Sequence, residues 1–83
     1  SSGGSHHIQL GAFSSSAKAD AEWKRVTGAY GELKGLSSRV VAAQTAAGKL
    51  YRLQAAVPSE ERGRAICKAL ASHKQACVYV RTN

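Results

Sequence analysis

His7-Ile8-Gln9-Leu10-Gly11-Ala12-Phe13 alternates in polarity and stands directly before a run of three serines. In an extended strand, successive side chains point to opposite faces. Ile8, Leu10 and Ala12 then fall on one face, and His7, Gln9, Gly11 and Phe13 on the other. The first face is wholly apolar and suits a core. The second, polar with one aromatic, is free to hold a ligand. The rest of the chain reads as completing a sheet around this strand and covering its apolar side.

Residues 1–5, Ser-Ser-Gly-Gly-Ser, have the composition of a flexible linker, and the folded domain is expected over 6–83. His6-His7 has no Cys or Asp beside it and makes a poor metal site. Ser14-Ser15-Ser16 supplies helix caps, since a serine oxygen accepts from an unpaired N–H of the first turn. The helix runs to about Ala29, with Ala19, Trp23, Val26, Tyr30 and Leu33 as its apolar stripe and Lys18, Glu22 and Arg25 off it. Gly28, Gly31 and Gly35 break it into a loop.

Ser38–Thr45 and Lys49–Val57 are β-prone, and the Gly-containing link between them makes a hairpin. Tyr51, Leu53, Ala55 and Val57 look inward; Leu50, Arg52, Gln54 and Ala56 look outward. A three-residue loop places Val41 and Ala43 inward opposite Leu53 and Tyr51, whereas a two-residue loop turns that face over. Pro58-Ser59-Glu60-Glu61 starts a second helix, with Ser59 as cap and two acids suiting the helix dipole. Its stripe is Ile66, Ala69, Leu70 and His73, the last placed as a partner of the C-terminal dipole. Ala76–Arg81 forms a last strand. The order β-α-β-β-α-β predicts an α+β fold of the ferredoxin or RNP-like class: a four-stranded antiparallel sheet with both helices on one face and the other face open.

The chain's 83 residues make one domain with a thin core, because at this size folding hides only about 60% of the chain's surface. At 43% hydrophobic and 20% charged, it is globular rather than disordered. No apolar run approaches the ~20 residues that cross a bilayer, no secretory pattern is present, and the chain reads as a piece of a longer protein. The net charge of +7 attracts nucleic acid, anionic lipid or acidic cell-wall polymer, or serves solubility alone. Cys67 in the second helix and an inward Cys77 in the last strand are placed either to bridge across a loop of about ten residues or to stay as two buried thiols.

Ile8-Gln9-Leu10-Gly11-Ala12-Phe13-Ser14 resembles the opening motif of the SPOR domain family (sporulation-related repeat), apolar-Gln-apolar-Gly-small-aromatic. Tyr51-Arg52-Leu53 resembles that family's third strand, and Cys67 followed by Cys77 resembles members with paired cysteines. The resemblance covers almost the whole chain. Ala56-Val57-Pro58 stand where the family has Gly-Pro-aromatic, Gly63 where Ala is common, and Lys74 where Gly often ends the second helix. The resemblance implies a non-catalytic module, without cofactor or metal, that binds peptidoglycan and favours glycan strands stripped of peptide stems. It further implies a periplasmic, septal setting within an envelope protein, with other division proteins as partners through the parent chain and no membrane contact by the domain itself.

On the expected open face, Gln9 offers donors and an acceptor to a sugar's N-acetyl and hydroxyl groups, and Gly11 keeps the surface low. In a sheet of order 4-1-3-2, Arg52 lies on the neighbouring central strand, ready to pair with the lactyl carboxylate of a stripped muramic acid. Leu50 and Phe13 supply apolar contact to sugar rings, with Phe13 alternatively curling into the core. Ser14 is a cap or a sugar contact, His7 a ligand contact or solvated residue, and Gln54 a solvated outer residue.

Two rival classes share this architecture. An RNA-recognition module needs aromatics on both central strands, and the third strand offers outward Leu50, Arg52 and Gln54 instead. A small enzyme needs paired acids, a nucleophile with its base or a phosphate-cradling loop. The five acids, Asp20, Glu22, Glu32, Glu60 and Glu61, all fall on helices or loops.

Overall fold

A computed structural model describes residues 6–81, so the expected linker at 1–5 lies outside the described residues. The elements are β1 (His6–Phe13), α1 (Ser16–Ala29), a 3-10 turn (Gly31–Leu33), β2 (Ser38–Thr45), β3 (Gly48–Ala56), α2 (Glu60–Ala71) and β4 (Val78–Arg81). One antiparallel sheet holds the strands in the order β2-β3-β1-β4. The expected fold and strand order are those observed.

Local chemistry starts each helix. Ser15 Oγ accepts from the Lys18 N–H at 3.2 Å, so the middle serine of the run is the cap of α1. Ser59 Oγ does the same for the Arg62 N–H at 3.1 Å, and Glu60 and Glu61 stand in the positive first turn of α2. Ala19 and Val26 of α1, with Ile66 and Leu70 of α2, share a single core with Ile8, Leu10, Leu53, Ala55 and Val57. Both helices therefore cover the same face of the sheet. Cys67 and Cys77 are bonded, fastening α2 to the residue that leads into β4.

The hairpin closes through a two-residue turn, Ala46-Ala47, with Thr45 paired to Gly48. Gly48 takes φ +127°, a region only glycine enters cheaply. This turn decides the face of β2. Val40 and Ala42 lie opposite Leu53 and Tyr51 on the helix side, whereas Val41 and Ala43 lie opposite Arg52 and Leu50 on the open side.

The last turn of α2 closes by the Lys74 N–H to the Ala71 carbonyl at 2.9 Å and the Gln75 N–H to the Leu70 carbonyl at 3.0 Å. This is the Schellman pattern, which wants a left-handed residue at its hinge. Lys74 occupies it with φ +60°. A side chain costs about 1 kcal/mol there relative to glycine. Lys74→Gly is expected to raise stability by roughly that amount, read as a higher urea midpoint at unchanged m-value; an unchanged or lower midpoint would contradict it.

Candidate functional site

The sheet face away from the helices is built in rows by strand pairing. Val78, Gln9, Gln54 and Arg39 form one row across all four strands. On one side of it lie Val80, His7 and Ala56; on the other, Ala12, Arg52 and Val41, followed by Leu50 and Ala43. Val78 is 62% exposed. Gln9, Gln54 and Arg39 thus stand together in a polar row, and the rows on either side mix apolar residues with His7 and Arg52.

Two expected members of this face are on the other side. The β1–β3 register runs Gln9 to Gln54 and then Gly11 to Leu53, leaving Leu10 as an extra residue. Such a bulge advances one strand by a residue and so turns every later side chain over. Gly11 and Phe13 pair with Leu53 and Tyr51 on the helix side, and Ala12 emerges opposite Arg52 on the open side. Phe13 packs against the core, and its ring covers Gly11 so closely that a Cβ there would stand 3.0 Å from Phe13 Cζ. Gly11 makes room for a ring rather than for a ligand. A glycine inside a strand pattern is the sequence signal of such a bulge.

The other expected residues divide by exposure. Arg52 is exposed, and no described residue makes a hydrogen bond or ion pair with it. Leu50 is half-buried beside it. Ser14 is exposed just past the end of β1 and does not cap α1. Gln54 was expected to be solvated but is only 4% exposed. It donates from Nε2 to Gln9 Oε1 at 3.2 Å and accepts at Oε1 from Arg39 Nε and Nη2 at 3.1 and 2.9 Å. Arg39, unremarked in the sequence, belongs to the site because the two-residue turn brings it opposite Gln54.

His7 is likewise buried, which restricts direct contact with a ligand. Burial first, then the charges of Arg39 and His6, hold its pKa below the ordinary histidine value, so the ring is neutral at neutral pH. The chain's acids lie on α1, the 3-10 turn and α2. The open face carries Arg39 and Arg52 and no carboxylate among the described residues, so its field favours an anion. Phe13, Tyr51 and Tyr79 all pair on the helix side, leaving the face without a described Phe, Tyr or Trp on which a nucleobase would stack. Among the described residues, no group of three His, Cys, Asp or Glu is placed to hold a metal.

An open antiparallel sheet backed by two helices, in the strand order β2-β3-β1-β4, defines a small α+β module of the ferredoxin or RNP-like class. The model of the SPOR domain family matches residues 2–81, and the chain belongs to that family. Among solved structures, it is similar to the solution structure of the peptidoglycan binding domain of the B. subtilis cell wall lytic enzyme CwlC. The TM-score is 0.65 at 25% identity, covering 100% of this chain and 95% of that one. No curated protein matches the chain in sequence.

Proposed function

We propose that the domain is a non-catalytic peptidoglycan-binding module that lays a glycan strand across its open sheet face. Membership of the SPOR family and the likeness to a peptidoglycan binding domain support the ligand class. The observation that carries the reading to a site is Arg52: an exposed guanidinium near the middle of the face, with no described partner, in a row beside Gln9 and Gln54.

Arg52 pairs with the lactyl carboxylate of muramic acid. An amide linkage masks that carboxylate while a peptide stem is attached, so preference for stripped glycan follows from charge and hydrogen bonding. Gln9 meets a sugar's polar substituents, and Leu50, Val41 and Val78 give apolar contact to ring faces. Stripped strands mark wall undergoing division, so the domain would direct a periplasmic or envelope parent protein to the septum.

The test is co-sedimentation with cell-wall sacculi before and after amidase removal of the stems, with single-stranded RNA as competitor. Stronger retention on the stripped wall, unaffected by RNA, is expected. Arg52→Ala should weaken that binding about tenfold, the value of one charge-assisted contact. Equal binding by wild type and variant would remove Arg52 from the site. RNA retention with neglect of both walls would overturn the ligand class.

A further inference from the structure

We infer that Arg39 is a positioning residue which, acting through Gln54, holds the Gln9 side chain with its amide N–H2 toward the ligand, so that the centre of the face accepts only a hydrogen-bond acceptor. The inference rests on the open-face reading for its ligand, though not for the side-chain arrangement itself.

A guanidinium carries donors and no acceptor. Arg39 places Nε and Nη2 at 3.1 and 2.9 Å from one end of the Gln54 amide, so that end is the carbonyl oxygen. The other end is then N–H2, and it faces Gln9 at 3.2 Å. The atom of Gln9 that it meets is in turn the carbonyl oxygen, and the Gln9 N–H2 is left pointing away from the row. Reversal at any step sets donor against donor. Gln54, at 4% exposure, has little access to water that would relieve such a clash.

The relay crosses β2, β3 and β1 at positions paired in register, so the backbone holds the three side chains at contact distance. No described residue accepts from the Gln9 amide nitrogen, and Gln9 is half-buried rather than enclosed. What meets it must bring oxygen lone pairs. On a peptidoglycan strand that group is the carbonyl oxygen of an N-acetyl substituent. Arg52 stands two residues from Gln54 on the same face of β3, roughly 6.7 Å along the strand. Two donor sites therefore stand side by side, one charged for a carboxylate and one neutral for an acetamido carbonyl.

The variant Gln54→Glu tests this directly. A glutamate still accepts from Arg39 but has no proton for Gln9, so the Gln9 amide turns over and presents its carbonyl outward. Binding to amidase-treated sacculi is expected to fall about tenfold while the melting temperature holds. Arg39→Met should weaken binding similarly, and Arg39→Lys, which keeps a donor-only group, should restore most of it.

NMR of the free protein supplies a reading independent of any ligand. The Gln54 side-chain N–H2 protons should exchange slowly with water and the Gln9 pair quickly, with Arg39→Met abolishing the difference. Wild-type binding by Gln54→Glu, or slow exchange at Gln9 rather than Gln54, would overturn the relay. If wild-type protein ignored stripped sacculi while the exchange pattern was as expected, the relay would stand and the glycan reading would fall.

Discussion

Gly63→Val is expected to destabilise the domain by about 3 kcal/mol, the upper end of the usual cost of overpacking. Gly63 is buried on the face of α2 that meets the sheet. A Cβ at this position would stand 3.0 Å from Tyr79 Cδ1, 3.1 Å from Val57 Cγ2 and 3.3 Å from Ile8 Cγ2. Those neighbours come from β4, the residue just after β3, and β1, so α2 approaches the sheet at three points through a missing side chain. Valine brings two further methyl groups into a space already short of room for one carbon. Either the helix lifts, opening gaps around Ile66 and Leu70, or Tyr79 leaves its place and loses its 2.7 Å hydrogen bond to His6 Nδ1. Gly63→Ala should cost less, because alanine recovers about 1 kcal/mol of helix propensity against a smaller clash. Urea unfolding monitored through Trp23 fluorescence reads both variants. A valine variant with the wild-type midpoint would show that α2 does not sit this close. Alanine is common in the family at this position, and Tyr79 is the large ring that fills the space here.

Replacing Cys67 and Cys77 together by serine is expected to cost about 2–3 kcal/mol, the loop-closure value for a bridge spanning ten residues. For a domain of this size that is a melting temperature lower by roughly 10–20 °C. The consequence should be uneven. β4 has only four residues and pairs only with His6–Gln9 at the edge of the sheet. The bridge fastens the chain immediately before it to α2. Without the bridge, β4 should open first, raising amide hydrogen exchange at Tyr79 and Val80 before the β2–β3 hairpin is affected. Opening would bare the edge of β1 beside Gln9, and loss of stability would then reach the open face. An unchanged melting temperature would show that the packing of Tyr79 against α2 holds β4 unaided.

The parts of the fold legible in the sequence are those set by neighbours along the chain. The serine before each helix, the acids after Ser59 and the alternation of Tyr51, Leu53 and Ala55 against Arg52 and Gln54 depend on spacing and local hydrogen bonding. The observed caps and strand faces follow them. Gln9 and Arg52 reach the open face for the same reason. Gly11 and Phe13 do not, because one extra residue in β1 arises from how that strand fits β3, and a strand read alone shows only its own alternation.

Pairing between strands also decided the rest. Ala46-Ala47-Gly48 is compatible with two turn lengths, and only the pairing of Thr45 with Gly48 puts Arg39 opposite Gln54. From spacing, Gln54 is an outward residue like Arg52. In the folded sheet, Gln9 and Arg39 close over it, and a surface amide becomes a buried link. The element order, the helix starts, the apolar sides of β3 and of β1 ahead of its bulge, and the family are all legible in the chain alone, whereas the face of β2 is not. Tertiary structure decided which side chains share a row and which way their amides face, since register and hydrogen-bond polarity are properties of paired strands.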